Sequence, residues 1–111
     1  ALLGAANLRD IGYQFPDTSA EFLNIDSKIL LRRTGELLKE KGYRIGNIDS
    51  TVAAQAPKLN PHIPAMQEAM AAVLGIDPDC LSIKATTTEK LGFEGRKEGI
   101  TAYATVLIEN V

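Results

Sequence analysis

A polar, glycine-rich run between two apolar segments, residues 84–99 with the sequence KATTTEKLGFEGRKEG, constrains the fold more than any other feature. Its β-branched threonines favour an extended backbone, whereas the glycines that follow favour a loop. The run therefore predicts a strand that ends in a polar loop. Its hydroxyls and cations can bind the oxygens of a diphosphate, and its carboxylate can hold a divalent ion that pairs with a diphosphate. A Thr-rich strand that runs into a solvated, charged turn is the alternative.

The pattern of apolar residues along the chain predicts the order helix, helix, strand, helix, strand, strand. We expect the end of a helix at residues 1–9, a loop at 10–12, an irregular segment at 13–24, a helix at 26–41, a strand at 43–55, a helix from Asn60 to Gly75, a strand at 81–88, a loop at 89–99 and a strand at 100–108. This order predicts an α+β domain, a two-layer sandwich with helices packed on one face of a mixed sheet.

Length and charge exclude several classes of protein. A chain of 111 residues with 45 % hydrophobic and 23 % charged residues fits one globular domain. No apolar run approaches the roughly 18 residues of a membrane span, so we expect no membrane segment. The formal charge of −2 argues against nucleic acid as a partner. An anionic ligand would instead meet a local cluster such as Lys84, Lys90 and Arg96.

Cysteine and histidine are each present once. Cys80 alone cannot form an internal disulfide, and we expect a structural thiol at the start of a strand. His62 follows a predicted helix start, where a lone histidine is more often structural or exposed than catalytic. One cysteine and one histidine cannot supply the three or four ligands of a zinc site.

Two further segments have compositions that suit contacts with a small molecule, residues 10–18 (DIGYQFPDT) and residues 54–64 (AQAPKLNPHIP). The Asp10 carboxylate could accept hydrogen bonds from sugar hydroxyls, although an ordinary turn with Gly12 explains the same residues. The second segment leaves a strand through Pro57, where exposed backbone groups suit a flat heteroaromatic base and Lys58 adds a positive charge. A simple strand-to-helix connection is the alternative.

Taken in chain order, residues 10–18, 54–64 and 84–99 resemble the 2-C-methyl-D-erythritol 2,4-cyclodiphosphate synthases of the non-mevalonate isoprenoid pathway. The resemblance covers essentially the whole chain. It implies one cyclodiphosphate-synthase-like domain over residues 1–111, assembled as a homotrimer with an active site at each subunit junction. It implies a metal-dependent phosphorus–oxygen lyase that cyclises 4-diphosphocytidyl-2-C-methyl-D-erythritol 2-phosphate and releases CMP. A bacterial cytoplasm is the implied location, with a plastid as the alternative.

The family pattern also implies roles for individual residues. Thr87 matches a residue that stabilises the transition state, and Glu89 matches a carboxylate that can help hold a second divalent ion. The implied substrate contacts are Asp10, Ile11, Gly12, Phe15, Pro16, Asp17, Thr18, Ser19, Ala54, Gln55, Ala56, Pro57, Lys58, Leu59, Asn60, Thr86, Thr88, Glu89, Phe93 and Arg96. Residues 54–60 match the cytosine pocket. Ser19 stands where the family usually has an aspartate, so its side chain is shorter and neutral.

Members of the resembled family carry an Asp-x-His motif and a further histidine before the position that matches Ala1. We therefore expect an N-terminally incomplete domain that has no ligands of its own for the zinc-like ion. A magnesium- or manganese-like ion is the second implied cofactor. The alternatives are an inactive fragment that still binds cytidine nucleotides, the terminal domain of a bifunctional enzyme with a cytidylyltransferase, and a non-catalytic trimeric binding protein.

Overall fold

The computed structural model describes residues 1–111 and contains five α-helices and three β-strands. In chain order they are α1 (Leu2–Ala5), α2 (Ile11–Gln14), α3 (Ser27–Glu40), β1 (Tyr43–Ala53), α4 (Ile63–Leu74), β2 (Leu81–Thr86), α5 (Gly92–Gly95) and β3 (Thr101–Asn110). Two 3₁₀ turns, Asn60–His62 and Pro78–Cys80, precede α4 and β2. None of the helices combines the length and the apolarity that crossing a membrane requires.

The sheet is mixed and has the strand order β2-β1-β3. β1 and β2 run parallel and end together, with Ala53 opposite Thr86. β1 and β3 run antiparallel, so that β3 begins at Thr101 beside the end of β1. Helices α3 and α4 contact each other and the sheet, which confirms the predicted α+β class. Because parallel strands point the same way, the carboxyl ends of β1 and β2 form one edge.

The hydrophobic core lies between α3, α4 and one face of the sheet. Leu38 of α3 and Leu81 of β2 are each only 1 % exposed, and Ile48 of β1 lies opposite Leu81 in the parallel pair. Leu2 and Ala6 extend this cluster toward the N-terminal segment. Burying a leucine side chain stabilises a fold by roughly 1.5–3 kcal/mol, so these contacts fix the helices against the sheet that carries the site.

The ends of the two long helices follow the predicted signals. The Asp26 carboxylate accepts a hydrogen bond from the Lys28 backbone N–H at 2.9 Å and begins α3. Gly42 follows α3 with φ of 90°, and Gly75 ends α4 in the left-handed region with φ of 66°. Glycine adopts positive φ without a steric penalty, so both helices stop where the sequence indicates.

The first segment differs from its prediction. Helix α1 ends at Ala5 rather than Arg9, and Asn7 and Arg9 have positive φ values of 55° and 67°. The expected loop at residues 10–12 is instead the start of α2, whose first turn forms because the Asp10 carboxylate accepts a hydrogen bond from the Tyr13 N–H at 3.0 Å. A local capping bond thus creates a helical turn that apolar periodicity does not reveal.

Several other boundaries also differ. Strands β1 and β2 both end two residues early, because pairing stops at Ala53 and Thr86 and only one further bond, from the Ala54 N–H to the Thr86 carbonyl at 3.0 Å, continues the ladder. The helix expected at Asn60 begins there as a 3₁₀ turn and becomes α-helical at Ile63. Strand β3 spans 101–110 instead of 100–108, and α5 forms one turn inside the predicted loop.

Candidate functional site

A cleft of about 370 Å³ lies at the edge where β1 and β2 end. Two chain segments that are far apart in sequence form it, one leaving each strand. Its lining residues are Ala54, Gln55, Pro57, Lys58, Leu59, Asn60, Ala85, Thr86 and Thr87. Two of the three segments singled out in the sequence therefore meet in one place, because the parallel strands deliver both segments to the same edge.

Hydrogen bonds join the two sides of this cleft. The Ala54 N–H donates to the Thr86 carbonyl at 3.0 Å and extends the parallel ladder by one residue. The Gln55 side-chain oxygen Oε1 accepts a hydrogen bond from the Lys90 backbone N–H at 3.1 Å. The second bond connects the loop after β2 to the segment after β1 and so holds the two walls of the cleft, one from each segment, at a defined distance.

The threonine run divides its hydroxyls between the cleft and the loop. Thr86 and Thr87 line the cleft, and the Thr87 Oγ1 accepts a weak hydrogen bond from the Glu89 N–H at 3.3 Å. Because this oxygen acts as an acceptor, its own hydroxyl proton stays available to donate to a ligand. Thr88 instead donates to the Leu91 carbonyl at 2.6 Å and stabilises the turn.

The expected cation cluster is only partly present. Lys84 lies on the helix-free face of the sheet, where its Nζ pairs with Asp49 Oδ2 at 3.0 Å, and the Arg96 guanidinium pairs with Glu98. Lys58 lines the cleft and takes part in none of the ion pairs of the chain. Lys58 is therefore the cation best placed to meet an anionic ligand in the cleft, and the roles predicted for Lys84, Lys90 and Arg96 stay predictions.

The loop after β2 carries three further predicted contacts without bringing them into the cleft lining. Glu89 is exposed and adopts φ of 54°, Phe93 is 46 % exposed, and Arg96 is exposed. The chain contains no group of three or more histidine, cysteine, aspartate or glutamate side chains that could hold a metal ion. Its own residues therefore do not fit a zinc site, and Glu89 offers a second ion a single carboxylate.

The segment around α2, residues 10–22, lies outside the cleft. Asp10 and Ile11 border a second, largely apolar cavity of about 640 Å³ between α1, α3 and the sheet, which shares no lining residue with the cleft. The Asp10 Oδ1 is used as the cap of α2, and Oδ2 has no hydrogen-bond partner in the chain. Gly12 is in the middle of α2, with open space where a side chain would project.

Residues after α2 contact one another and, through Glu21 and Phe22, Arg33 of α3. Phe15 is 8 % exposed and packs edge-to-face on Phe22, with 5.5 Å between the ring centroids. The Ser19 N–H donates to the Pro16 carbonyl at 3.1 Å and closes a turn in which Asp17 and Thr18 are exposed. Within one chain this segment does not reach the cleft, and its predicted substrate contacts stay predictions.

Two contributions to the cleft were not predicted from the sequence. Ala85 lines it, because it precedes Thr86 on β2, and Lys90 closes it through its backbone N–H rather than its side chain. Ala56, a predicted contact, is exposed and absent from the lining. Side-chain chemistry gives no signal for a backbone donor, whereas the pairing of β1 with β2 would have pointed to Ala85.

Comparison with known proteins gives consistent matches over the whole chain. The YgbB family model matches residues 1–109. The chain is 72 % identical over 109 residues to the 2-C-methyl-D-erythritol 2,4-cyclodiphosphate synthase of Bacteroides thetaiotaomicron, covering 98 % of this chain and 69 % of that protein. It is 68 % identical over 111 residues to the synthase of Parabacteroides distasonis, covering 100 % of this chain and 69 % of that protein.

Solved structures give the same match at the level of the fold. The bifunctional IspDF from Campylobacter jejuni superposes with a TM-score of 0.96 at 45 % identity, covering 100 % of this chain and 30 % of that one. IspF of Plasmodium falciparum in complex with CDP superposes with a TM-score of 0.85 at 37 % identity, covering 98 % of this chain and 65 % of that one. The chain thus spans about two thirds of its curated relatives and less than a third of the bifunctional protein.

Proposed function

This chain belongs to the YgbB family of 2-C-methyl-D-erythritol 2,4-cyclodiphosphate synthases, and we propose that its cleft binds the cytidine diphosphate part of the substrate. The reaction of the family joins the 2-phosphate to the β-phosphorus of the same molecule. A bond forms between a 2-phosphate oxygen and the β-phosphorus, the bond from that phosphorus to the α-phosphate oxygen breaks, and CMP leaves. The chain accordingly belongs to an enzyme family of the phosphorus–oxygen lyase class in isoprenoid biosynthesis.

The observation that supports this proposal is the meeting of residues 54–60 with Thr86 and Thr87 in one cleft. The first segment supplies small side chains and backbone groups that suit a flat base. The second supplies the Thr87 hydroxyl, which suits a phosphate oxygen, whereas the Thr86 hydroxyl donates to the Thr87 carbonyl at 3.1 Å. CDP is bound in the Plasmodium falciparum relative, whose fold matches this one. A cytosine at residues 54–60 would place its diphosphate toward the threonines on the other wall.

The roles that we propose within the cleft follow from these positions. Lys58 carries an unpaired positive charge and would bind the diphosphate in both the substrate and the transition state. The Thr87 hydroxyl proton would donate to a phosphoryl oxygen whose charge changes as the bond to CMP breaks. This intramolecular phosphoryl transfer depends on positioning and charge stabilisation, so the chain's residues need no strong base.

Base selectivity in the cleft tests the proposal. Calorimetry on the full-length protein should give tighter binding of CMP than of UMP. Ala85→Leu should weaken CMP binding roughly 10-fold, because overfilling a packed site is unfavourable by about 1–3 kcal/mol. Ala102→Leu is the matched control, since Ala102 and Ala85 flank the same residue, Val52, but only Ala85 lines the cleft. Equal affinities for CMP and UMP would contradict the assignment.

We also propose that the protein acts as a homotrimer in which a neighbouring chain completes each site. The α2 segment and the cleft do not meet within one chain, although both are predicted to contact substrate. Tyr103 and Leu107 of β3 lie on the helix-free face and are 62 % and 58 % exposed, so this face has apolar side chains that a neighbour could cover. Sedimentation of the full-length protein as a monomer would exclude this assembly.

Dependence on divalent metal is proposed from the family resemblance. Glu89 could contribute one carboxylate to a magnesium- or manganese-like ion between the phosphates. The chain's own residues do not fit a zinc-like ion, and we assign no step of the reaction to that ion. Stoichiometric zinc retained after dialysis by a sample whose mass matches these 111 residues would contradict this assignment. The resemblance also favours a cytoplasmic location in a bacterium.

A second candidate is that the chain is the terminal domain of a bifunctional cytidylyltransferase and cyclase. One observation favours it, namely the TM-score of 0.96 over the whole chain with the bifunctional protein of Campylobacter jejuni. The intact mass of the native protein distinguishes the two. A mass near that of the curated relatives, of which the chain covers 69 %, would exclude the fusion.

A further inference from the structure

The turn at residues 88–91 connects the threonine run to α5 and has an unfavourable backbone. Glu89 and Lys90 have φ values of 54° and 66°, and the Leu91 N–H closes the turn by donating to the Thr88 carbonyl at 3.0 Å. Two successive residues with positive φ are typical of a type I′ turn, which glycine and asparagine prefer. Neither residue is glycine here, so bonds around the turn must stabilise this conformation.

Three successive backbone N–H groups in this turn find acceptors, and only one acceptor comes from another part of the chain. The Glu89 N–H donates to Thr87 Oγ1 and the Leu91 N–H to Thr88, both within the same segment. The Lys90 N–H donates to Gln55 Oε1, 35 residues earlier. It is the only side-chain hydrogen bond between residues 54–60 and the loop after β2, so it ties together the two walls of the cleft.

The Lys90 backbone also lies close to α5. A Cβ atom added to Gly95 would lie 2.2 Å from the Lys90 carbonyl carbon and 2.7 Å from its Cα. This approach is far shorter than any van der Waals contact, so the Lys90 backbone and α5 fit together only with a glycine at position 95. The Lys90 backbone therefore contacts Gln55 through its N–H and lies against α5 through its Cα and carbonyl.

We propose that Gln55 is a positioning residue for Thr87, acting through the Lys90 N–H rather than by side-chain contact with the nucleotide. This inference rests on the proposed function of the cleft. It gives the Gln55 side chain a positioning role in place of the predicted contact with substrate. In the turn that Gln55 stabilises, the Glu89 N–H donates a hydrogen bond to Thr87 Oγ1, and this bond orients the Thr87 hydroxyl. Gln55 thereby sets the position of the hydroxyl relative to the base-binding wall.

Gln55→Met tests this role, because methionine keeps the length of the side chain and removes the acceptor. In the full-length protein we expect the Lys90 amide to exchange its hydrogen roughly 5- to 10-fold faster, as loss of one hydrogen bond implies. We expect kcat to fall roughly 10-fold, with KM for the substrate and calorimetric CMP affinity changed less than about 2-fold. Gln55→Glu retains an acceptor of the same length and should restore slow exchange at Lys90.

Gln67→Met is the matched control. The Gln67 amide donates to the Pro78 and Leu81 carbonyls at 2.7 and 2.8 Å, at the start of β2, whereas the cleft lies at the end of that strand. Its loss should therefore lower stability without changing exchange at Lys90 or the kcat of the folded enzyme. Gly95→Ala provides an independent route, because it displaces the Lys90 backbone directly. If both changes act at Lys90, the kcat of the double variant should be less than about 2-fold lower than the kcat of Gly95→Ala alone.

Two outcomes would overturn the proposal. A Gln55→Met protein that loses CMP affinity in proportion to its kcat would show that the side chain contacts the nucleotide directly. Unchanged exchange at Lys90 would show that the turn does not depend on Gln55. Failure of the cleft assignment itself is distinguishable, because the unmodified protein would then bind CMP and UMP equally.

Discussion

The cleft at the ends of β1 and β2 and the segment around α2 are both marked by distinctive sequence, but only the cleft brings two of the distinctive segments together. Residues 54–60 meet residues 85–87 because parallel pairing places both strand ends at one edge. Around α2 the contacts are shorter in range, from Asp10 to Tyr13, from Phe15 to Phe22 and from Glu21 to Arg33 of α3. A motif on a paired strand is thus positioned by the sheet, whereas one on a short capped turn needs a neighbouring surface.

This contrast predicts that the cleft affects the chemical step more strongly than the α2 segment does. In the full-length, metal-loaded enzyme, Thr87→Ala should lower kcat roughly 10- to 1,000-fold with little change in KM, the scale of one lost charge-stabilising donor. Thr87→Ser keeps a hydroxyl and should retain most of the activity. Steady-state kinetics on both variants and on Thr18→Ala check this, and a loss from Thr18→Ala as large as that from Thr87→Ala would remove the contrast.

A smaller effect is expected at the cation of the cleft. Lys58→Ala should raise KM about 5-fold and leave kcat nearly unchanged, because an exposed charge contributes about 1 kcal/mol to binding and attracts substrate and transition state alike. Lys39→Ala on the exposed side of α3 removes the same charge away from the cleft and serves as the control. A fall in kcat at constant KM for Lys58→Ala would mean that Lys58 and Thr87 have been assigned each other's roles.

The sequence predicted the two-layer fold because its long elements carry strong signals. Asp26 and Gly42 mark the ends of α3, Gly75 marks the end of α4, and β-branched or apolar runs mark the strands. Short elements were missed, since α2 depends on one capping bond at Asp10, and α5 contains the helix-disfavouring Gly92 and Gly95. Propensity summed over a few residues does not outweigh a single local hydrogen bond.

The site was predictable to the extent that residue type determines chemistry. Thr86, Thr87 and Lys58, all singled out in the sequence, line one cleft, whereas Lys84 and Arg96 pair with Asp49 and Glu98. Ion pairing across strands depends on register, which the sequence alone does not fix. The bond from the Lys90 N–H to Gln55 could not be predicted for a different reason, because any residue except proline could donate it.

The smallest expected effect distinguishes two roles of Asp10, a helix cap and a substrate contact. One carboxylate oxygen caps α2, and the other has no partner in the chain, so it could accept a hydrogen bond from a sugar hydroxyl in the assembled protein. Asp10→Asn keeps a capping oxygen but removes the charge, and it should raise KM about 2- to 3-fold with unchanged stability. Asp10→Ala should in addition lower the free energy of unfolding by about 1 kcal/mol.

Asp26→Ala is the matched control for the cap, because Asp26 begins α3 in the same way and lies in neither cavity. It should lower stability by a similar amount, about 1 kcal/mol, and leave KM unchanged. Urea denaturation and steady-state kinetics on the three variants separate the two roles. If Asp10→Asn leaves KM unchanged, Asp10 only caps a helix; the α2 segment would then be a local structural turn, and the whole contribution to substrate binding would come from the cleft.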